Sequence, residues 1–565
     1  MSSRRTFLKT GAGAIGGLML SRDGANAQGP PPSPPVTPFM DPLPIPGTHH
    51  PVGLGNLPVR AGGAPARGPH YEVPMVEILQ KLHSQLPPTR LWGYSGSYPG
   101  PSFEVRRGQP ISVRFTNNLP NHHLLSYAID PTLHGSQPGT PEVRTVVHLH
   151  GGRVLPESDG HPDAWFTPGF AQKGPRFASE VFLYPNDQPA TMLWYHDHTI
   201  GITRLNVFAG LAGLYIIRDP EEQSSGLPQD RFEIPLVIQD RHLNPDGSLG
   251  YPPFGLSPQH PIWMPDFFGD LALVNGKVMP FLEVEPRAYR FRVLNGSNSR
   301  FLNLHLDSGT PFIQLGADLG FLPAPTVMQS LLLSPAERAD VVIDFSRLAG
   351  REIVMTNDAP TPFGPPSPFP GPPLPLIMKF RVRSRNGNSS NFDAGRLRLP
   401  APAPLSLSSV AQTRDILLTE EVNQFGVPLV TKVEDKMWFE PVSTFPKAGS
   451  TEIWRFINAI VFAHPMHVHL ARMQVLDRQQ FNVGAFMQTG AVVPTGPAVP
   501  AAPNEVNAPK DTVIVEHGGM TRVLVNFELP SGTTVSPGQH FPYVHHCHIL
   551  EHEDNEMMRP YEVVG

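Results

Sequence analysis

The chain holds a single cysteine, Cys547, in 565 residues. One thiol forms no disulfide within the chain, so covalent cross-links contribute nothing to its stability. Charge is also thin: Asp, Glu, Lys and Arg make up 16%, with a formal net charge of -6. No long Lys/Arg run occurs, and this balance argues against a nucleic-acid partner. No stretch is long and apolar enough for a membrane-spanning helix. Long amphipathic helices are missing as well, as expected from 69 prolines and 51 glycines. What remains is a length too great for one compact core, hence several domains built from short strands and many turns.

The first residues read as a targeting segment. Ser3-Arg4-Arg5-Thr6-Phe7-Leu8-Lys9 resembles a twin-arginine export signal, a weakly apolar stretch runs from Thr10 to Leu20, and Ala25-Asn26-Ala27 is an A-x-A cleavage pattern. Residues 1–27 are expected to be removed. The expected destination is the periplasm or the cell exterior, by a route that carries folded proteins. The following residues, 28–73, include a Pro-rich run from Gly29 to Pro46 that reads as an extended arm.

From about residue 74 the text reads as strands. Phe103-Glu104-Val105-Arg106 and Ile111-Ser112-Val113-Arg114-Phe115 alternate apolar and polar around an Arg107-Gly108-Gln109-Pro110 turn. Three strand endings repeat one pattern: Arg114-Phe115-Thr116-Asn117, Arg292-Val293-Leu294-Asn295 and Arg455-Phe456-Ile457-Asn458. Such a repeat predicts an all-β chain of three related sandwich domains, over 74–220, 221–382 and 411–565. Residues 383–410 read as a linker, and Pro360 to Pro375 as a loop late in the middle domain.

Histidine is abundant, with 24 copies. Four clusters stand out: His148-Leu149-His150-Gly151, His196-Asp197-His198, His464-Pro465-Met466-His467-Val468-His469, and His546-Cys547-His548 followed by His552 and Met557. In a strand, residues i and i+2 face the same way, so each H-x-H presents two imidazoles on one face. Four such pairs are too many for one ion and suit a cluster of several. The same alternation turns Cys547 away from His546 and His548, towards a different centre. Cys547, His464 and His552 offer one sulfur and two imidazoles, and Met557 a weak axial thioether, which is the blue-copper donor set. Zinc accepts a His₂Cys site too, but it does no redox chemistry and leaves the eight other histidines unexplained. A lone H-x-H, a lone thiol or a Met pair is an ordinary core feature; it is their joint occurrence that selects a metal centre.

At these residues the sequence resembles the multicopper oxidases, most of all the bacterial spore-coat-type laccases and the bilirubin oxidases. All four copper motifs of that family are met, and the likeness extends to text that carries no metal: Ser158-Asp159-Gly160, Thr203-Arg204-Leu205-Asn206-Val207, Val274-Asn275-Gly276-Lys277, Pro335-Ala336-Glu337-Arg338 and Val475-Leu476-Asp477-Arg478. The resemblance implies three tandem cupredoxin-like Greek-key domains and four copper ions. It implies a type 1 copper on His464, Cys547 and His552 with Met557 axial, and a type 2 copper on His148 and His467. It implies a type 3 pair on His150, His196, His198, His469, His546 and His548. Asp159 and Glu553 match family acids beside the oxygen site, where reduction of dioxygen to water consumes four protons.

The implied activity is one-electron oxidation of phenolic or aromatic donors near His552, coupled to four-electron reduction of O₂, by a monomer. Bilirubin oxidation and cuprous-ion oxidation are the alternatives; no Met-dense run of the kind seen in the copper-efflux branch is present. A copper-free structural role would require missing ligands, and none is missing. A two-domain nitrite reductase is disfavoured by the third repeat and the number of histidines. Some relatives carry a disulfide, which this chain cannot form within itself.

Overall fold

The computed structural model describes residues 31–57, 66–367, 370–384, 392–424 and 426–565. The targeting segment over 1–27 lies outside the described residues. Three pairs of sheets follow one another along the chain. In the first pair a five-stranded sheet, with Ala66–Gln80 and Ile111–Asn117 inside it, is matched by a four-stranded sheet. That smaller sheet holds Gly100–Arg106, Val147–His150, Thr191–Asp197 and Ala212–Arg218. The second pair has seven and five strands, and the third six and four. Each pair closes on one apolar core. Val73, Phe103, Phe115 and Leu193 share the first, Phe291, Val341, Ile353 and Phe380 the second, and Trp454, Met466, Val523 and Tyr561 the third. These are three tandem cupredoxin-like sandwiches.

The repeated Arg-x-x-Asn endings have a structural cause. Each closes a strand, Ile111–Asn117, Ala288–Asn295 or Thr451–Asn458. Each of these runs parallel to a long early strand of its own sandwich, respectively Ala66–Gln80, Glu233–Arg241 and Val410–Val422. The terminal asparagine then turns the chain. Oδ1 of Asn117, Asn295 and Asn458 accepts from the backbone N–H two residues on, at 3.1, 3.1 and 2.9 Å. This Asx turn needs a short side-chain carbonyl at that one place. The Asn275-Gly276 pair does a related job in the middle sandwich. Both residues have positive φ, 50° and 76°, and close the hairpin that pairs Leu273 with Val278 and Val274 with Lys277.

The stretch read as an arm is bound to the fold. Phe39 and Leu43 donate their backbone N–H groups to the carbonyls of Met279 and Phe281, at 2.8 and 2.7 Å. Leu43 is buried in the core of the middle sandwich. Ordered sheet also starts earlier than residue 74: Gly53–Leu57 pairs antiparallel with the start of Ala66–Gln80. Pro69 and Pro74 inside that strand conceal it from a reading by periodicity. Between Val382 and Val410 the described residues form no strand, and Leu397, Leu399 and Ala401 pack against a cluster containing Leu315 and Phe321. Among the described residues no helix is long and apolar enough to cross a membrane.

Because Leu43 fills a core position, Leu43→Ala should cost about 2–5 kcal/mol, the usual range for a buried leucine. Denaturant unfolding measures this; a loss under about 0.5 kcal/mol would mean that the arm lies on the surface without contributing to the core.

Candidate metal centre

The four histidine clusters lie on two strand pairs. In the first sandwich Val147–His150 runs antiparallel to Thr191–Asp197, with His148 directly opposite His196. In the third, His464–Val468 runs antiparallel to His540–Cys547, with His467 opposite His546 and Met466 opposite Cys547. Alternation sorts the side chains. Met466 and Cys547 enter the core of the third sandwich, while His467 and His546 turn out of it and meet the histidines of the first. The uneven spacing of His464, His467 and His469 follows from this. His464 is an odd number of residues from the other two and so sits with Cys547.

Ten imidazoles and the thiol assemble into two buried sets. His464, Cys547 and His552 form one: Sγ of Cys547 lies 3.5 Å from Nδ1 of His464 and 3.9 Å from Nδ1 of His552, and the two Nδ1 atoms are 3.3 Å apart. The other eight form three groups within ligand reach, two of which share His469: His148, His467 and His469; His150, His196 and His548; His198, His469 and His546. His148 stacks on His469, and His150 on His467, each at 3.7 Å between centroids. The first and third sandwiches thus join ring against ring. His552, on the short helix Leu550–Asp554, is 6% exposed, the most accessible of the ten; the rest are at 1% or less. Met557 is fully buried in the same core as Cys547, and its carbonyl accepts from the Cys547 N–H at 3.0 Å.

The hydrogen bonds on the outer sides of the rings set their tautomers. Nδ1–H donates to a backbone carbonyl in His148 (Asp159, 2.6 Å), His196 (Asp197, 2.8 Å), His467 (Asp511, 2.8 Å) and His546 (Cys547, 3.0 Å). In His469 it donates to Asp159 Oδ2 at 2.7 Å. Each inward Nε2 is therefore a lone pair. Those of His469 and His546 face each other at 3.2 Å, and Nε2 of His148, His196 and His467 has no protein partner at all. Opposed buried lone pairs repel, and an unsatisfied polar atom costs about 1–3 kcal/mol. A cation held between them removes both penalties. Imidazole and thiolate donors together suit copper, so the residues fit the metal.

Burial makes the donors ready. It holds His196, His467 and His552 at about 3 and pushes His148, His150, His198, His464, His469 and His548 well below the ordinary histidine value. Burial also pushes the Cys547 thiol well up, so a neighbouring positive charge is needed to make it a thiolate. Asp159 is buried, and desolvation raises its carboxyl well above the usual range. Its Oδ1 has no hydrogen-bond partner and lies 3.6 Å from Nδ1 of His148. Glu553, also buried, lies 3.1 Å from Nδ1 of His546 and 3.6 Å from Nε2 of His198, with neither oxygen in an aligned hydrogen bond.

The structure also brings in residues that sequence reasoning did not select. Asp197 Oδ1 accepts from Thr199 N–H and Asn206 Nδ2 at 3.0 and 2.8 Å, which braces the His196–His198 turn. Asp554 accepts from the N–H groups of Thr203 and Arg204 and from the Arg204 guanidinium, at 2.9–3.0 Å. The Thr203–Val207 motif thereby holds the helix that carries His552 and Glu553. Gly160 (φ 81°) packs where a side chain would collide with the Val147 carbonyl, which seats the Asp159 loop on the histidine strand. Asp266 Oδ1 lies 4.0 Å from Nε2 of His552, at the accessible edge. Asp511 lies beside His150 and His467.

Comparison with known proteins agrees with this geometry. Residues 79–135 and 419–564 match multicopper oxidase family domains. A laccase of Bacillus subtilis (strain 168) is 44% identical over 531 residues, covering 93% of this chain and 98% of that protein. The chain belongs to the multicopper oxidase family. A laccase of Haloferax volcanii is 40% identical and covers 99% of the chain and 91% of its own length. Among solved structures, the multicopper oxidase McoA of Aquifex aeolicus superposes with a TM-score of 0.69 at 26% identity, over 93% of this chain and 99% of that one. As a multicopper oxidase the protein is an oxidoreductase, and its cofactor is copper.

Nine of the ten imidazoles have pKa values pushed below their ordinary value, so at about pH 5.5 they are already neutral in the folded protein and have no proton to give up when metal binds. These nine rings should add almost nothing to the proton release on copper binding at that pH, where nine ordinary histidines would release about eight. Calorimetry in buffers of different ionisation enthalpy reads the number; release near eight would show the rings to be charged and solvated before loading.

Proposed function

We propose that the protein is a laccase-type oxidase that takes electrons singly from phenolic or other aromatic donors and reduces dioxygen to water. In this reading His464, Cys547 and His552 hold the type 1 copper, with Met557 axial. His148 and His467 hold the type 2 copper. His150, His196, His198, His469, His546 and His548 hold the type 3 pair, giving four coppers in all. The observation that carries it is His546-Cys547-His548. Three consecutive residues serve two donor sets, so the sets are joined by the shortest covalent path a chain offers. Copper bound there supplies one-electron redox change on the donor side and stored electrons on the oxygen side.

The protein's own residues do the rest. His552, the accessible ring, presents the donor edge. Burial of the other nine imidazoles keeps bulk water from the cluster. Asp159 holds a proton, because desolvation favours its neutral form, and its unpartnered Oδ1 leaves it free to pass that proton on. Glu553 stands between His198 and His546 on the other side. Two acids on two flanks suit a reaction that consumes four protons per dioxygen. All ten imidazoles come from one chain, which supports a monomer as the working unit. The order of basic, apolar and A-x-A segments in residues 1–27 supports twin-arginine export to the periplasm or beyond.

Oxygen uptake by the copper-loaded protein tests the reading, with a methoxyphenol as donor beside Cu(I). Phenol-driven uptake without accumulated peroxide is expected. A blue protein active only with Cu(I) would move the assignment to a cuprous oxidase, and a protein that stays colourless after copper loading would remove it. Asp159→Asn should lower turnover by about 10²–10⁴-fold, the usual worth of a positioned acid, while leaving the blue band unchanged. Unchanged turnover would take Asp159 out of proton delivery.

A further inference from the structure

The middle sandwich contributes none of the ten imidazoles, yet one of its side chains reaches the back of the histidine cluster. Arg338 opens the strand Arg338–Asp344, directly after the Pro335-Ala336-Glu337 turn, in which Ala336 sits at φ 71°. Its guanidinium makes a two-pronged ion pair with Asp511 of the third sandwich: Nη1 to Oδ1 at 2.8 Å and Nη2 to Oδ2 at 2.5 Å. Its remaining donors are used on Met192 O of the first sandwich (Nε, 3.3 Å), Ala336 O (Nη1, 3.0 Å) and Asp318 O (Nη2, 3.0 Å). Both partners are at most 2% exposed. One guanidinium therefore ties together all three sandwiches, and a bidentate fork fixes the plane of the carboxylate it holds.

That carboxylate sits against two of the histidines. Asp511 Oδ1 lies 3.1 Å from Nε2 of His150, and the Asp511 carbonyl accepts from Nδ1 of His467 at 2.8 Å. His150 is thus set apart from His148, His196, His467, His469 and His546. Those five keep the proton on Nδ1 and turn Nε2 inward, whereas His150 donates its Nε2–H to the Asp511 carboxylate and leaves a buried, unpartnered Nδ1. The grouping of His150, His467 and Asp511 has the spacing of a cation site. The Arg338 guanidinium already compensates the Asp511 carboxylate in that group, and Thr512 Oγ1 adds a further bond to Oδ1 at 3.0 Å.

We propose that Arg338 and Asp511 are positioning residues for the copper cluster: they set which nitrogen His150 offers and hold the stacked His150–His467 pair in place. This is the task of the middle sandwich, and it accounts for the Pro-Ala-Glu-Arg motif, which binds no metal. The inference rests on the copper assignment above. It differs from a merely structural ion pair at a domain junction in what it controls, namely ring orientation at the oxygen-side coppers and nothing at the blue copper. Removing a carboxylate that orients a ligating histidine costs about 10–100-fold in metal affinity.

The test compares copper-loaded Asp511→Asn and Arg338→Gln with the wild-type holoenzyme. The expected result is an unchanged blue band, reporting His464, Cys547 and His552. With it, the type 2 copper resonance should be altered, and resistance of the cluster copper to a chelator should drop about 10–100-fold. Arg338→Lys, which keeps the charge and loses the fork, should recover only part. The double variant Arg338→Met/Asp511→Leu removes both members of the ion pair together, leaves Asp318 its contact with Lys510, and guards against simple misfolding. It should melt close to wild type yet stay chelator-sensitive. Wild-type resonance and chelator resistance in the single variants overturn the proposal, as does their full recovery in the double variant. A wild-type protein that binds no copper and shows no blue colour overturns instead the assignment on which the proposal stands.

Discussion

Neighbouring side chains of a β-strand cannot share a face, and the whole centre depends on that restriction. At His546-Cys547-His548 it sends the thiol into the core of the third sandwich and both imidazoles out of it. The same restriction, with the odd step between His464 and His467, gives His464 to the thiol and leaves His467 and His469 to the cluster. Two chemically different sites therefore divide along two paired strands, and the short helix Leu550–Asp554 adds His552 to the thiol side. The remaining architecture supplies the opposing face. The first sandwich brings four more imidazoles on its own pair of strands, and ring stacking of His148 on His469 and His150 on His467 seals the join.

Burial does two jobs that pull in opposite directions. It keeps nine of the ten imidazoles neutral, which metal binding requires, and it leaves inward lone pairs such as those of His469 and His546 confronting one another at 3.2 Å. A fold with such a pocket is poised for a cation and penalised without one. The acids follow the same logic. Asp159 is held neutral by the desolvation that also protects the cluster, while Asp511, in the same low-dielectric region, stays ionised because the Arg338 fork compensates it. Two buried carboxylates near one centre are thus given different charges by their partners.

Much of this was legible in the sequence because it rests on period and chemistry alone. The H-x-H spacing, the lone cysteine between two histidines and the Arg-x-x-Asn repeat each carry a geometric meaning, and their joint occurrence selects the centre. The rest was hidden for identifiable reasons. The strand Ala66–Gln80 is interrupted in print by Pro69 and Pro74, and the arm through Leu43 is held by backbone bonds that leave no side-chain pattern. Arg338 lies in a motif that the sequence already marks, but its partner Asp511 is far away along the chain and the two meet only through tertiary packing, so no local pattern links them. The same is true of Arg204 and Asp554.

The split of the histidines between the first and third sandwiches has a consequence for biogenesis. A ribosome that has finished only the first two sandwiches has made His148, His150, His196 and His198, and none of their counterparts. The oxygen-reducing pocket comes into being when the final strands close against the first sandwich. A chain that stops after the second sandwich holds four of the ten imidazoles and lacks Cys547 together with its partners His464 and His552. Completion of the donor sets is thus tied to completion of the chain.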